Sequence, residues 1–521
     1  MHDYVIVGAG SAGCALAARL TEDPSVSVLL VEAGPPDTEP ALHIPAAFST
    51  LYRTPLDWDY ASGPEPALDG RAGRRSRGRV LGGSSSINAM IYIRGNRRDY
   101  DEWGPRWRWA DVLPYFKRAE GNERGADALH GADGPLSVSD GRSRNPLAAA
   151  WVEAAVAAGL PRTDDFNGPE QDGVGFYQLT QRGGMRCSTA VAYLHPALER
   201  PNLTLLPTAL VTRVLFEGER AAGVEAIVDG AAQALHAARE VVLSAGAYNS
   251  PQLLMLSGIG PAEHLREHGI PVRLDQPDVG AGLQDHLNAG ILLRTDAESL
   301  MTAESAENVA LLQAEGRGPL TSNIAEAGGF WRTHDGLDAP DVQFHMAPVM
   351  FAEEGLARPS EHAWSAGACV LCPEGRGEVR LRSAEPAAKP RILTRYLDSE
   401  RDWRSIVAAV RLLLEIARHE PIAGMTTGAF QVPASDAEED VRAHVRAHAH
   451  CLYHPVGTCG LGRVVDAELR VVGVDGLRVV DASVIPSAPR GNTNAAAIML
   501  GERAADLLAG RAAPTGTEAV A

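Results

Sequence analysis

A GxGxxG sequence at residues 8–13 restricts the possible folds of this chain more than any other segment. The apolar run before it predicts a strand, the alanine-rich stretch from Ser11 to Leu20 predicts a helix, and Val26 to Val31 predicts a second strand. Glu32 closes that second strand. A strand, a glycine-rich turn, a helix and a strand that ends in an acidic residue form the βαβ unit of a dinucleotide-binding domain.

Each position of this unit has a physical role in holding a dinucleotide. Gly8 permits the tight turn, Gly10 lets the backbone approach a pyrophosphate, and Gly13 allows the helix to pack closely against the strand. The phosphates are expected beside Ser11, because free N–H groups and the helix dipole favour anions at a helix N-terminus. Glu32 would accept hydrogen bonds from the adenosine ribose, which disfavours NADP. The fingerprint alone leaves FAD and NAD open.

Length and composition limit the kinds of protein that this chain can be. A chain of 521 residues favours two domains, and 45% hydrophobic with 22% charged residues is typical of a globular protein. The net charge of -18 argues against nucleic acid as a partner. No apolar run approaches the ~18 residues of a membrane span, and the first strand begins too early for a signal peptide. We therefore expect a cytoplasmic protein.

The middle of the chain, residues 203–248, alternates apolar and polar side chains, a pattern that predicts short strands. The strands are expected at Leu203–Leu206, Val211–Phe216, Val224–Val228 and Val241–Leu243. Turns between them are expected at Gly218, Gly223 and Gly230.

Residues 290–450 have a different character and predict a second domain. Strands are expected at 342–345 and 379–381, and a helix is expected from Asp402 to His419. A further helix is expected to open at Ser435, where Glu438 three residues later completes a capping box, and to run towards His448.

Three further regions resemble the signatures of one enzyme family. The first is residues 79–90 (RVLGGSSSINAM) with 92–96, the second is residues 246–254 (GAYNSPQLL) with 257–260, and the third comprises residues 453–459 (YHPVGTC), 480–483 and 491–494. On these segments, which span nearly the whole chain, the sequence is identified as a member of the glucose-methanol-choline (GMC) oxidoreductase family. The tyrosine directly before His454, Tyr453, resembles the residue typical of the choline dehydrogenase-like bacterial branch of this family.

The resemblance implies a fold, a division into domains and a cofactor. The implied fold is α/β: a Rossmann-type FAD-binding domain with a second α+β substrate domain built on an antiparallel sheet. The FAD-binding domain would comprise residues 1–150, 200–290 and 455–521, and the substrate-binding domain residues 151–199 and 291–454. Some relatives attach FAD covalently through a histidine just before the asparagine of the first signature. Because Ile87 stands there, FAD is expected to bind non-covalently.

The residues expected to contact FAD come from the βαβ unit, from the resembling regions and from a strand that faces the adenine. Glycines in these segments permit close approach of the backbone to the cofactor. The expected contacts are Gly8, Gly10, Ser11, Gly13, Glu32, Ala33, Val80, Gly82, Gly83, Ser84, Asn88, Ala89, Met90, Val211, Asp481, Ala482 and Asn492.

Oxidation of an alcohol needs a base that removes the hydroxyl proton while hydride leaves carbon, and histidine suits this task near neutral pH. The resemblance assigns the base to His454 and a hydrogen-bond donor to the alcohol oxygen to Asn494. Asn494 is also placed to cap the last helix. The expected enzyme oxidises a primary alcohol to an aldehyde, with hydride transfer to flavin N5. The alternatives are a hydroxynitrile lyase that uses the same histidine without net redox, and a flavin-binding protein without activity.

The substrate pocket is expected between the flavin and the second domain. Glu326 with aromatic neighbours could hold a quaternary ammonium such as choline by charge and cation–π attraction, whereas the aromatic residues could equally serve ordinary sheet packing. The electron acceptor is expected to be oxygen, a quinone or another carrier. The candidate lining residues are Asn323, Glu326, Phe330, Trp331, Gln343 and His345.

Two clusters suggest metal or redox chemistry, but neither is expected to provide it. The four histidines at positions 444, 448, 450 and 454 lack nearby carboxylates, and His444 and His448 are expected on a solvated helix face. Cys369 and Cys372 have CxxC spacing without a second pair, so structural thiols are expected. No metal is predicted.

Overall fold

The structure is a computed structural model that describes residues 1–514. Several of its helices begin where the sequence places an extended residue or a capping side chain. For example, the Ser399 side chain accepts a hydrogen bond from the Asp402 N–H at the start of the longest helix. The helices are Ser11–Leu20 (α1), Arg97–Asp101 (α2), Trp109–Ala119 (α3), Pro146–Ala157 (α4), His195–Ala197 (α5), Gly246–Leu256 (α6), Ala262–Glu267 (α7), Ala306–Glu315 (α8), Glu400–Ile416 (α9), Glu438–His448 (α10) and Asn494–Ala509 (α11).

The strands fall into two large sheets and several small ones. In chain order they are His2–Val7 (β1), Val28–Val31 (β2), Tyr60–Ala61 (β3), Arg74–Arg75 (β4), Glu120–Asn122 (β5), Leu136–Asp140 (β6), Gly173–Phe176 (β7), Gln178–Leu179 (β8), Gln181–Arg182 (β9), Met185–Arg186 (β10), Leu203–Leu206 (β11), Leu210–Glu217 (β12), Arg220–Val228 (β13), Ala231–Leu243 (β14), Ile259–Gly260 (β15), Leu274–Asp275 (β16), Ala281–Leu283 (β17), Leu287–Thr295 (β18), Ala327–Trp331 (β19), Val342–Ala347 (β20), Ala363–Val370 (β21), Gly377–Arg380 (β22), Arg391–Leu393 (β23), Thr426–Gln431 (β24), His450–Cys451 (β25) and Leu477–Val479 (β26).

The first large sheet contains the parallel core of a dinucleotide-binding fold. Strands β11, β2, β1, β14 and β26 lie side by side and run parallel, although β26 comes from the end of the chain. The fully buried four-residue run of β2 is typical of a strand covered on both faces. The first half of β14 leaves this parallel core and pairs antiparallel with β13, which pairs with β12. One long strand therefore joins the parallel core to an antiparallel ribbon.

The last helix of the described chain packs against the first. A Cβ atom at Gly501 of α11 would lie 2.3 Å from the carbonyl oxygen of Ala12 in α1, so only glycine allows this approach of the two helices. Both helices are buried in the same hydrophobic core as β1 and β2. The two ends of the chain thus complete one layer.

The second large sheet is antiparallel throughout, with the strand order β24, β18, β21, β20, β19, β7, and β25 pairs with β18 at one end. Helices α4 and α9 contribute apolar side chains, among them Trp151 and Leu413, to the core on this sheet. The implied fold, a Rossmann-type domain with a second domain built on an antiparallel sheet, is confirmed.

Most of the strands and helices that the sequence predicted are present near the predicted positions, with two corrections. Gly223 lies inside β13 and not in a turn, because the neighbouring strand passes so close that a Cβ there would be 2.3 Å from the Leu235 carbonyl oxygen. The capping box at Ser435 is wrong as well. The helix begins after Ala437, and the Ser435 hydroxyl accepts from the Ala437 N–H and donates to Asp440.

The division into domains stays a prediction, and one segment bears on it. Residues 190–197, which the division assigns to the substrate domain, pack their apolar side chains into the core of the dinucleotide-binding sheet. Within residues 1–514, none of the helices is long and apolar enough to cross a lipid bilayer.

Candidate active site

A cavity of about 540 Å³ lies between the two large sheets. It opens at the carboxyl ends of β1, β2 and β14, where Val7, Val31 and Ser244 line it, and it extends to β18, β20 and β21. Ligands of open parallel sheets bind at this carboxyl edge. The predicted site residues that line the cavity are Gly8, Gly10, Ser11, Glu32, Ala33, Gly83, Ser84, Asn88, Ala89, Met90, Val211, His454, Asp481, Ala482, Asn492 and Asn494.

Three predicted contact residues, Gly13, Val80 and Gly82, lie behind the cavity wall and not in it. A Cβ at Gly13 would lie 2.0 Å from the Gly8 carbonyl oxygen, so this glycine serves the packing of α1 on the turn. Val80 is fully buried in a small apolar cluster, and the Gly82 N–H donates to the Ala9 carbonyl at 2.8 Å. These residues hold the shape of the turn.

The glycine-rich turn fits a pyrophosphate. Gly10 precedes α1 and no side chain of the described residues caps the helix, so the first N–H groups of α1 are open to the cavity. The nearest atom to a Cβ placed on Gly10 would be the Gly83 Cα, at 4.0 Å. A Cβ on Gly83, in contrast, would lie 2.7 Å from the Gly10 Cα. Backbone atoms of both segments therefore face the space that the phosphates would occupy.

Glu32 lies at the end of β2 with its carboxylate held by the backbone. One oxygen accepts from the Ala9 N–H at 2.9 Å and the other accepts from the Gly34 N–H at 2.8 Å. Burial raises the pKa of Glu32, and these N–H donors oppose the rise. A carboxylate fixed in this way keeps lone pairs for the hydroxyl groups of a ribose.

Asp481 joins the end of the chain to α6. Its carboxylate accepts from the Gly246 N–H at 2.9 Å, from the Ser250 hydroxyl and from the Ser483 N–H at 2.8 Å. Burial raises the pKa of Asp481. The predicted signature residues at 246–250 and at 481–483 thus meet at one carboxylate beside the cavity.

The backbone before His454 is held in an unusual conformation. Tyr453 has a left-handed backbone with φ of 66°, which is uncommon for a bulky residue. The His454 N–H donates to Asp285 at 2.7 Å, and the Cys451 thiol donates to the other oxygen of that carboxylate at 2.9 Å. The Tyr453 N–H in turn donates to the Cys451 sulfur at 3.0 Å. Asp285 therefore fixes the loop that presents the His454 ring to the cavity.

The His454 ring is buried and contacts one polar side chain at each nitrogen. Its Nε2 lies 3.2 Å from the Asn492 Nδ2, and its Nδ1 lies 3.0 Å from the His286 Nδ1. Burial lowers the pKa of His454 well below 6.5, and the positive charges possible at His286, His345 and Arg77 lower it further. The ring is therefore neutral at pH 7 and can accept a proton.

Asn492, and not Asn494, contacts the His454 ring, and the donor role that the resemblance implies for Asn494 stays a prediction. Asn494 is the first residue of α11, and its Oδ1 accepts from the Ser11 hydroxyl at 2.6 Å, at the N-terminus of α1. The expected cap is absent too, since the N-cap position belongs to Thr493. The Asn492 Oδ1 accepts from the Gln343 Nε2 at 3.1 Å, which leaves its NH₂ group to face His454.

Of the six candidates for the substrate pocket, His345 alone lines the cavity. The Glu326 carboxylate is buried and accepts from the Ser322 hydroxyl and the Asn145 N–H. Phe330 packs against Phe166, and Trp331 stacks on Phe344. The ordinary packing interpretation of the two aromatic residues is therefore correct, and the ammonium box around Glu326 is wrong. Asn323 and Gln343 are buried beside the cavity without lining it.

His345 presents an unsatisfied polar side chain to this space. Neither ring nitrogen has a hydrogen-bond partner within residues 1–514, although both are buried. Burial lowers the pKa of His345 to about 3, so the ring is neutral. Buried polar atoms without partners are rare in folded proteins, which makes His345 available to a bound molecule.

Three residues that surround Tyr453, namely Tyr52, Arg74 and Glu354, were not predicted from the sequence. The Tyr453 hydroxyl donates to Glu354 at 2.6 Å, and the Arg74 guanidinium donates to the same hydroxyl at 2.7 Å. Arg74 also lies 4.1 Å from the ring centre of Tyr52. Asp285 and His286 were missed as well. The one available signal was the adjacent aspartate and histidine at 285–286, and nothing in the spacing of the sequence relates this pair to His454.

The histidine cluster near the end of α10 has no metal-binding geometry. No group of three or more His, Cys, Asp or Glu side chains in the described part of the chain is arranged to hold a metal ion. His448 is exposed as expected, whereas His444 is buried and its Nε2 lies 2.7 Å from the Gly290 carbonyl oxygen. The prediction of a solvated His444 is wrong because α10 packs that face against β18.

The parallel sheet, the glycine-rich turn and the buried neutral histidine define a dinucleotide-dependent enzyme. Two models of the GMC oxidoreductase family match the chain, at residues 2–288 and 373–501. An uncharacterised GMC-type oxidoreductase of Mycobacterium bovis is 45% identical over 97% of this chain and 99% of its own. The mitochondrial choline dehydrogenase of Mus musculus is 44% identical over 98% of this chain and 90% of its own.

A solved structure extends the comparison to the fold. Pyridoxine 4-oxidase from Mesorbium loti superposes with a TM-score of 0.91 at 33% identity, over 98% of this chain and 100% of that one. The chain therefore belongs to the GMC oxidoreductase family, and it is an FAD-dependent oxidoreductase of alcohols. Ile87 lines the cavity and has no nucleophilic atom, in agreement with non-covalent FAD.

Proposed function

We propose that this enzyme oxidises a primary alcohol to an aldehyde, with His454 as the general base and Asn492 as the donor to the substrate oxygen. The observation that carries the proposal is the 3.2 Å contact between the His454 Nε2 and the Asn492 NH₂ group at the wall of the cavity. An alcohol oxygen that displaces this direct contact and lies within hydrogen-bond distance of both groups would donate its proton to Nε2 and accept a hydrogen bond from Asn492.

Bound FAD supplies the acceptor for the hydride that leaves the alcohol carbon. Side chains of the protein accept the alcohol proton and stabilise the charge that develops on oxygen. His454 holds the proton at Nε2, and the Asn492 amide stabilises the negative charge that grows on oxygen as the proton leaves. His345, with two unsatisfied nitrogens, is available for a further hydrogen bond to the substrate.

The FAD is proposed to lie along the residues that line the cavity. Its pyrophosphate would bind the N–H groups of α1 beside Gly10 and Ser11, and its ribose would bind Glu32. The remaining proposed contacts are Gly8, Ala33, Gly83, Ser84, Asn88, Ala89, Met90, Val211, Asp481 and Ala482.

The substrate class is supported by two relatives. Choline and pyridoxine, the compounds in the names of the mouse dehydrogenase and of the structural neighbour, both carry primary alcohol groups. Oxygen, a quinone or another carrier as the electron acceptor stays a prediction, and so does the cytoplasmic location.

Anaerobic reduction of the bound flavin tests the reaction. The purified yellow enzyme, mixed without oxygen with choline, benzyl alcohol and simple alkanols in turn, is expected to lose its absorbance near ~450 nm with at least one of them. A lyase would act on its substrate while the band stays unchanged, so conversion of a hydroxynitrile without bleaching by any alcohol would replace this proposal.

A pair of histidine variants tests the base. His454→Ala is expected to lower the rate of flavin reduction by about 10²–10⁴-fold, the usual contribution of a general base. The matched control is His236→Ala, because His236 is exposed on β14 and does not line the cavity. Equal rates in the two variants would refute the assignment of His454.

A further inference from the structure

We propose that His286 is a positioning residue, which holds the proton of His454 on Nδ1 so that Nε2 is the basic nitrogen that faces the cavity. The inference deepens the proposed function, because a base can accept the alcohol proton only at a nitrogen that is not already protonated. It follows from which groups must donate and which must accept hydrogen bonds at each of the two nitrogens of the His454 ring. The two sides are independent of each other.

The first side begins at a backbone carbonyl. The His286 Nε2 lies 3.0 Å from the Leu371 carbonyl oxygen. A carbonyl oxygen only accepts, so Nε2 of His286 carries a proton. His286 is fully buried and burial lowers its pKa, so the ring is neutral and its Nδ1 has a free lone pair.

That lone pair determines which nitrogen of the His454 ring carries the proton. The Nδ1 atoms of His286 and His454 are 3.0 Å apart, and the two rings meet nearly edge to face, at 85°. One of the two nitrogens must donate across this distance. Because the His286 Nδ1 is the acceptor, the His454 Nδ1 carries the proton. The His454 Nε2 is then unprotonated.

The second side begins at another carbonyl. The Tyr177 hydroxyl donates to the Phe344 carbonyl oxygen, so the Tyr177 oxygen accepts from the Gln343 Nε2 at 3.3 Å. The same NH₂ group of Gln343 donates to the Asn492 Oδ1 at 3.1 Å. This fixes the Asn492 amide with its NH₂ group towards His454.

An NH₂ group of an amide only donates, so the His454 Nε2 must be the acceptor of the 3.2 Å contact with Asn492. Both chains of hydrogen bonds, one from Leu371 and one from Phe344, therefore place the His454 proton on Nδ1. Within residues 1–514 no carboxylate contacts the ring, since Asp285 holds the His454 backbone N–H and not the imidazole. The partner that orients this imidazole is a second, neutral imidazole.

The position of the proton can be measured directly in the holoenzyme. Histidine labelled with ¹⁵N in the ring, incorporated into the full chain, is expected to show the directly bonded proton of His454 on Nδ1. The resonances of His454 are those that vanish in His454→Ala. A proton found on Nε2 would overturn the inference. This readout does not depend on turnover.

Two substitutions of His286 test its role. His286→Asn can place its Oδ1 near the position of the lost Nδ1 and accept the same hydrogen bond, whereas His286→Leu has no acceptor. His286→Leu removes the acceptor of the His454 Nδ1 proton and leaves the Asn492 amide alone to favour that tautomer. It is therefore expected to lower kcat/KM by about 3–10-fold, the effect of one lost hydrogen bond, and to shift part of the His454 population to the Nε2 tautomer. His286→Asn is expected to restore most of the activity and the Nδ1 tautomer.

Wild-type kcat/KM and tautomer in His286→Leu would overturn the inference but leave the proposed function intact. Full turnover in His454→Ala would instead refute the assignment of His454 as the base. The ¹⁵N spectrum of the wild-type histidines would still decide which nitrogen of His454 holds the proton. Should His286→Leu fail to fold, the wild-type spectrum and the spectrum of His286→Asn decide the question.

Discussion

Ser11 and Asn494 stand at opposite ends of the chain, yet the Ser11 hydroxyl donates to the Asn494 Oδ1 at 2.6 Å. The bond joins the N-terminus of α1, where the FAD pyrophosphate is proposed to bind, to the first residue of α11. Asn494 therefore orders the phosphate end of the cavity, whereas Asn492 contacts His454. Two asparagines separated by one residue serve different parts of the site.

The first prediction concerns FAD affinity. Asn494→Ala is expected to raise the FAD dissociation constant by about 3–10-fold, because the loss of one hydrogen bond costs about 0.5–1.5 kcal/mol. Fluorescence titration of the apoprotein with FAD measures it. A dissociation constant equal to that of the wild type, together with a slower reduction of bound flavin, would return Asn494 to the catalytic position that the sequence suggested.

The second prediction concerns the neighbouring asparagine. Asn492→Ala is expected to slow flavin reduction by about 10²–10³-fold, the usual effect of removing one donor to a developing oxyanion. Stopped-flow reduction of the FAD-saturated enzyme by its alcohol gives this rate. Asn492→Asp keeps the shape but offers no donor to the oxygen, so it is expected to be slow as well. Normal reduction by either variant would contradict the proposed role.

The third prediction concerns pH. Burial and the neighbouring His286, His345 and Arg77 lower the pKa of His454 below 6.5. Because the base must be neutral, kcat/KM is expected to fall only as the pH drops below 6.5. Arg77→Met removes a positive charge and is expected to move this fall to higher pH, whereas Arg77→Lys keeps the charge and the profile. An acid limb of the wild type above pH 6.5 would contradict the argument.

The fourth prediction concerns stability far from the cavity. Burial alone would lower the pKa of His130, but its hydrogen bonds with Asp165 and Glu120 raise it to about 9. A pKa that is higher in the folded state stabilises the fold fully below the unfolded value of 6.5, and this contribution is lost as the pH rises through 9. Urea unfolding should show a stability gap between the wild type and His130→Gln that shrinks from pH 6 to pH 9.5. A constant gap would rule out this contribution.

The fold was largely readable from the sequence because its signals are local. The glycine turn, α1 and β2 follow from the period of apolar residues and from Glu32, and the predicted helix at 11–20 matches α1. Gly223 was misread because a glycine in a turn and a glycine inside a closely paired strand look alike in one sequence. Only the neighbouring Leu235 carbonyl distinguishes them.

The contacts of His454 were harder to predict because they depend on side-chain direction. Asn492 and Asn494 are both polar and both line the cavity, but the start of α11 between them turns the second towards Ser11. His286 lies 168 positions before its partner His454. No periodicity or spacing connects two residues that meet only where β18 and β25 pair.

The packing of Gly501 against Ala12 has a consequence for biosynthesis. The strand that carries the phosphate turn is made before β26, Asp481 and α11, which complete the cavity. A growing chain therefore meets FAD with its pocket still open on one side, although domains generally begin to fold from the N-terminus during synthesis. Full enclosure of the flavin is therefore expected only after α11 has been made, and a chain cut before Asn494 is expected to be colourless when purified.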